Sequence, residues 1–263
     1  MTEAPLPIQR VFKITSPTDG GGVVRIPAGE VPALIHVSAG VKVVAASSAS
    51  AVVVVLEEGA RLELLRCFIL PADAAAEVSL EANLDKDSYF KTFLMTKGSV
   101  AFKDTVKVVL QGPGAEVSLN GLHDLHGSAD ARSFTFIDHA APSTTSNQLY
   151  KSVVRDKAHS VFNGRIMVRR EAQLTNAYQL NKNLILSTAG HVETKPQLEI
   201  FADDVKCSHG AVIGQLDDDQ LFYFQTRGIG REEAGRMLVK GFVDDVLFRI
   251  NDAQLRAEVG GLL

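Results

Sequence analysis

The segment Lys206-Cys207-Ser208-His209-Gly210 sets a thiol two positions before an imidazole. In a β-strand successive side chains point to opposite faces, so Cys207 and His209 share one face while Lys206 and Ser208 take the other. A thiolate and a neutral imidazole are both suitable ligands for iron and for clusters with mixed ligands. Two donors do not close a cluster site, which normally takes four. The pair therefore reads as half of a site, completed by a second chain or left open and labile. The remaining chemistry-bearing residues give weaker patterns. His123 and His126 in HDLH resemble a metal pair, but nearby glycines make the sequence turn-like and no further ligand is assignable, so a solvent-exposed turn is expected. Asp138 and His139 are adjacent, and alternation sends them to opposite faces, which argues against a local dyad. Cys67, in the apolar run LELLRCFIL, reads as a small buried thiol.

These residues are embedded in strand-like sequence. From about Pro7 to Asp217, short segments of Val, Leu, Ile, Thr and Phe are broken by Gly, Asp, Asn and Ser, with little helical periodicity. The phrase AEVSL occurs at Ala76 to Leu80 and again at Ala115 to Leu119. Related phrases start at Ala60 (ARLEL), Ser99 (SVAF), Ala131 (ARSFTF), Ala158 (AHSVF) and Ala172 (AQLTN), at irregular steps. A small residue followed by alternating aliphatic and polar positions suits the coils of a β-solenoid, in which each strand pairs with its equivalent in the next coil. A parallel β-helix is the first choice and a β-sandwich the competitor. Aromatic residues make up only 6% of the chain and tryptophan is absent, so the core has to be built from Val, Leu, Ile and Ala.

The pattern changes after Asp217, which divides the chain into a β-helix core over 1–216 and a C-terminal helical region over 217–263. DDDQLFYFQTRGIG reads as a short helix with acidic residues at its start and Gly228 at its end. In REEAGRMLVKGFVDDVLFRI, Ala234, Leu238, Phe242, Val246 and Ile250 recur every four positions, the stripe of an amphipathic helix. Such a stripe packs against its own domain or serves a partner. Gly241 in its interior marks a close approach or a bend.

The formal charge of -4 and the lack of any Lys/Arg run give no attraction for phosphate backbones, so nucleic acid is not an expected partner. The N-terminal MTEAPLPIQR is not a secretory signal, and no apolar segment approaches a membrane span. Two cysteines are too few for a disulfide framework, and a cytoplasmic protein is expected. Neither a phosphate-cradling GxxxxGKS loop nor a GxSxG elbow occurs.

Three long strings are specific: SFTFIDHAAPSTTSNQLYKSVV, VFNGRIMVRREAQLTNAYQLNKNLILS, and KPQLEIFADDVKCSHGAVIGQLDDDQLFYFQTRGI. Together they closely resemble the SufB/SufD family, scaffold proteins that assemble iron-sulfur clusters with the ATPase SufC. The resemblance runs from about Arg132 to Ile250. It implies a right-handed parallel β-helix followed by a helical piece, a scaffold and not an enzyme, with ATP hydrolysis supplied by SufC. SufB-like chains carry a cysteine about six residues before the proline that corresponds to Pro196, where this chain has Gly190, and an EHE string where it has CSHG. Both departures point to SufD.

The resemblance further implies that His209, with Cys207, faces a SufB-like chain and holds part of a transient iron-sulfur cluster or iron shared between the two. Lys206, Ser208 and His139 are interface candidates. Arg227, Gly228, Phe242 and Val246 are candidates for docking a SufC-like chain. A reduced flavin associates with the family complex but is not assigned to this chain. Relatives commonly have an N-terminal helical domain, whereas strand-like sequence begins here almost at once, and Ser143 replaces a histidine that many relatives carry after the HAAP proline. A homodimeric β-helix scaffold acting without SufB is the second reading. A β-helix carbohydrate-active enzyme, with paired acids on one outer face, is the third.

Overall fold

The computed structural model describes residues 10–14, 24–26, 33–37, 42–47, 50–70, 74–98 and 101–263. The expected start of strand-like sequence at Pro7 and the first residues of the SVAF phrase lie outside them. The chain winds between two parallel sheets. One contains β1 (Arg10–Ile14), β3 (Ala33–Val37), β5 (Ala51–Leu56), β7 (Ala75–Leu84), β9 (Ala101–Leu110), β11 (Asp130–His139), β13 (His159–Val168) and β15 (His191–Ile200), paired in that order. The other contains β2 (Val24–Ile26), β4 (Lys42–Ser47), β6 (Arg61–Ile69), β8 (Tyr89–Gly98), β10 (Glu116–Leu125), β12 (Thr145–Val154), β14 (Asn176–Ile185) and β16 (Lys206–Gly214). This is a β-solenoid. Glu116 stands opposite Thr145, Thr145 opposite Asn176 and Asn176 opposite Lys206, so a coil takes about thirty residues.

The repeated phrases mark half-coils. AEVSL at Ala76 lies in β7 and AEVSL at Ala115 leads into β10, so the two copies belong to different sheets. The irregular steps in sequence come from mixing the two series. One corner explains the small residue that opens two of the phrases, at Ala60 and Ala115. Ala60, Ser88, Ala115, Thr144 and Thr175 each precede a strand of the even-numbered sheet and are fully buried in a stack. The residue before each, Gly59, Asp87, Gly114, Ser143 and Leu174, has φ between 53° and 72°. That left-handed conformation makes the corner and suits glycine best. At Gly114 a Cβ would also lie 2.2 Å from Asp87 Oδ1 of the preceding coil, so a side chain there would push that carboxylate aside.

Between the sheets, aliphatic residues such as Leu62, Leu80, Val106, Leu119 and Ile166 fill the interior. A salt bridge also lies there: Arg66 of β6 donates to both carboxylate oxygens of Asp104 in β9, at 2.8 and 3.3 Å, with both side chains fully buried. It ties one sheet to the other.

After β16 come α1 (Asp218–Thr226), α2 (Arg231–Leu247) and α3 (Ala253–Gly260). Asp217 caps α1, its carboxylate accepting from the Asp219 N–H at 2.9 Å, and Gly228 closes it with φ 81°. The amphipathic stripe of α2 packs on its own domain. Val243, Val246, Leu247 and Ile250, with Leu255 and Val259 of α3, cover Leu65, Phe93, Met95, Leu122, Leu149 and Val153 on the outer face of the even-numbered sheet. Each fully buried Val or Leu contributes about 2 kcal/mol to that docking. Lys151 pins the helix: its Nζ donates to the Phe242 carbonyl at 2.7 Å, pairs with Asp245 at 2.5 Å and lies 4.2 Å from the centre of the Phe242 ring. Gly241 faces open space, so it marks no close approach. Among the described residues no helix is long and apolar enough to cross a membrane.

Removing one partner of the interior ion pair leaves a buried charge uncompensated. Asp104→Ala is expected to lower stability by about 3–5 kcal/mol in urea unfolding, and Arg66→Met with Asp104→Leu to recover most of that loss.

Candidate functional site

β14 fixes the side to which Cys207 and His209 point. In the register of β14 with β16, Cys207 stands opposite Ala177 and His209 opposite Gln179, and both β14 residues are buried between the sheets. Cys207 and His209 therefore share the interior side, as strand alternation predicts, and Lys206 and Ser208 share the outer side with Asn176 and the exposed Tyr178. In any earlier coil the next strand would bury such residues. β16 is the last strand of its sheet and β15 the last of the other, so the interior opens here. His209 is exposed and Cys207 half-buried against the end of the core. Burial raises the Cys207 thiol, so it is less readily ionised than a free cysteine.

Below His209 the interior turns polar. Gln148 Nε2 donates to Thr135 Oγ1 at 2.7 Å, and Gln179 Nε2 donates to Gln148 Oε1 at 2.7 Å. Gln179 Oε1 is buried with no hydrogen-bond partner among the described residues, directly under the His209 position in the register. An imidazole N–H is the kind of donor this acceptor lacks. At the same end Gly190 forms the turn into β15, its N–H donating to Ser187 O at 3.2 Å. A Cβ there would meet Val154 Cγ1 at 3.0 Å, so no side chain, a cysteine included, fits without a shift.

A model of the SUF system FeS cluster assembly SufBD core domain matches residues 27–242. The chain belongs to the SufBD core family. Iron-sulfur cluster assembly protein SufD of Escherichia coli is 35% identical over 175 residues, which cover 66% of this chain and 41% of that protein. An iron-sulfur cluster assembly SufBD family protein of Synechocystis is 36% identical over 176 residues, 66% of this chain and 38% of the relative. One from Mycobacterium leprae is 32% identical over 210 residues, 77% and 54% respectively. The chain thus spans from about two fifths to about half the length of these relatives. Within the SufBD family it is SufD-like.

Several residues of this SufBD-family chain lie away from where the sequence suggests. His139 is no interface residue: it is fully buried between the sheets, with Nδ1 2.7 Å from Thr144 Oγ1 and Nε2 2.9 Å from Ser146 Oγ. Its neighbour Asp138 faces outward and takes two bonds from Arg169, at 2.9 and 2.6 Å, so the two do separate onto opposite faces. HDLH is not a turn, because His123 sits in β10 and points inward, with Nε2 2.8 Å from Ser133 Oγ, while His126 follows the strand and is exposed. Cys67 is half-buried beneath the helices and its thiol is pushed up to about 12 by burial.

The helical candidates divide. Val246 is fully buried under α2 and its side chain is not available to a partner. Phe242 is partly buried beneath Lys151. Arg227 and Gly228 are exposed at the end of α1, and the Arg227 guanidinium lies 5.3 Å from the centre of the Tyr223 ring. Tyr223 and Phe222 beside it are 58% and 66% exposed. The four-residue periodicity finds the buried face of α2 and gives no signal for this aromatic pair on α1.

Burial pushes the imidazoles of His139 and His123 down to about 4. The unfolded chain, with histidines near 6.5, binds protons that the folded chain does not, so stability is complete above about pH 6.5 and falls as the pH drops toward 4. Each contributes on the order of 3 kcal/mol across that window. The urea midpoint is expected to fall steeply between about pH 6.5 and pH 4, and His139→Gln to make that fall shallower.

Proposed function

We propose that this chain is the SufD-like half of a scaffold on which an iron-sulfur cluster is assembled against a SufB-like chain, with a SufC-like ATPase docking on its helical region. The observation that carries this reading is the uncapped end of the solenoid. A parallel ladder stops at β15 and β16, each paired on one side only, and presents Cys207 and His209 from the interior. Free strand edges are templates for strands of another chain. Two ligands at such an edge make a site that is completed when a partner arrives and opened when it moves, which suits a cluster that must be released.

His209 is the first ligand and Cys207 its helper in iron acquisition, since the exposed imidazole is free while the thiol is held protonated by burial. The remaining donors come from the partner, in keeping with Gly190 occupying the place of the cysteine found in SufB-like chains. Lys206 and Ser208 flank the site on the outer side of the same edge. Co-expression with SufB-like and SufC-like chains, anaerobic purification, and iron and sulfide analysis test this directly. His209→Ala is expected to lower cluster yield roughly tenfold or more with the complex intact. Unchanged yield would refute the assignment, and a stable homodimer with no affinity for the SufB-like chain would favour the reading in which two copies of this chain meet at the same edges.

For SufC the surface is the exposed face of α1, where Phe222, Tyr223 and Arg227 offer the aromatic and guanidinium groups that dominate interfaces. Gly228 lets the chain turn away from that face. Truncation after Asp217 would strip the helices from the sheet, so point variants are the better probe. Phe222→Ser with Tyr223→Ser is expected to weaken SufC binding by roughly tenfold or more in calorimetry, while Phe242→Ala loosens α2. Equal affinity for the double variant and the parent would rule α1 out.

A further inference from the structure

The coil register brings His159 beside two side chains about thirty residues later in the sequence. His159 is the first residue of β13 and His191 the first of β15, and the two stand opposite each other, with Asp130 of β11 on the other side of His159. Glu193 lies two residues after His191, hence on the same outer face. Glu193 Oε1 is 3.2 Å from His159 Nε2 and 3.7 Å from His191 Nε2, the imidazole centres are 5.1 Å apart, and one donor atom from each of the three residues lies within 4.8 Å of the others.

The proton arrangement makes this cluster more than a surface coincidence. His159 Nδ1 is 3.3 Å from Asp130 Oδ2, and Asp130 is held by Arg132 through bonds of 2.6 and 2.8 Å. The guanidinium of Arg132, bonded to both oxygens, makes that carboxylate an acceptor toward His159. With Nδ1 donating to Asp130, the neutral form of His159 turns a lone pair at Nε2 toward Glu193. That atom is buried and makes no hydrogen bond among the described residues, although the Glu193 oxygen is 3.2 Å away. A lone pair and a carboxylate oxygen facing each other need a positive charge between them.

We propose that His159, His191 and Glu193 bind a divalent transition-metal ion of the zinc and iron(II) class on the outer face of the odd-numbered sheet. Ligands about 2.0–2.1 Å from a tetrahedral ion are roughly 3.3 Å from one another, close to the two distances found. His191 is 67% exposed and free to swing inward to close the third edge. Two imidazoles select borderline metals over magnesium or calcium, and a carboxylate that fixes the far nitrogen of a ligating histidine is the usual support of such a site. Three protein donors leave one position open for water or a further ligand. The site lies on the opposite sheet from Cys207 and His209 and does not depend on their role.

The test uses the untagged full chain carrying Cys207→Ser and His209→Ala, so that the edge pair contributes nothing. Cobalt(II) titration should give visible absorption bands of a tetrahedral or five-coordinate ion, saturating at one equivalent and abolished by zinc(II). His191→Ala and Glu193→Gln, both at exposed positions, should each weaken binding tenfold or more with an unchanged circular dichroism spectrum. Absence of the bands in the parent, or affinity unchanged from the parent in either variant, would overturn the proposal and leave a proton on His159 as the charge that separates it from Glu193.

Discussion

A parallel β-ladder has no means of ending itself. Each coil satisfies its backbone by pairing with the coils before and after it, and each inward side chain is buried by the coil that follows. β15 and β16 have no following coil, so their edges keep unpaired N–H and C=O groups and the residues that would be core are uncovered. The same positions that hold Ala177 and Gln179 out of water one coil earlier leave Cys207 half-buried and His209 exposed. The site is thus the cross-section of the core, and no specialised loop is needed to present it.

That origin explains which parts of the molecule can be read from sequence. Strand alternation is a local property, and it put Cys207 and His209 on one face correctly. It also separated Asp138 from His139, but it could not say which face was inward, and His139 proved to be packed between Thr144 and Ser146. The side of a strand depends on register with strands about thirty residues away. Corners leave a clearer trace, because a left-handed residue followed by a small buried one restricts composition in each coil, as at Gly59-Ala60 and Gly114-Ala115. Two phrase series, one per sheet, overlap in the chain, so the coil length was hidden.

The cluster of His159, His191 and Glu193 shows the cost of not knowing that length. His191 and Glu193 share a face of β15, but His159 stands 32 residues before His191 and joins them only through the pairing of β13 with β15. HDLH, with a spacing that looks like a metal pair, is divided between the inside and the outside of the coil. In a solenoid the informative interval is one coil, and motifs learned from helices mislead. Arg66 and Asp104, 38 residues apart and on different sheets, were invisible for the same reason.

The helices decide which apolar surfaces of the sheets stay uncovered. α2 and α3 cover the even-numbered sheet over β6 to β12 with a continuous apolar contact, anchored by Lys151 and by Lys91, whose Nζ reaches Asn251 at 2.8 Å. That consumes the amphipathic stripe, which the sequence left open between internal packing and a partner. Uncovered apolar groups include Phe222 and Tyr223 on α1, Ile200, Phe201, Val212 and Ile213 around the last coil, and Met237 on the outward side of α2 with Phe248 at its C-terminal cap. The chain thus buries the long face of its own sheet but exposes aromatics on α1 and aliphatics at its open end. Cys207 and His209 lie at the open end and Phe222 and Tyr223 on α1, so the two surfaces share no side chains.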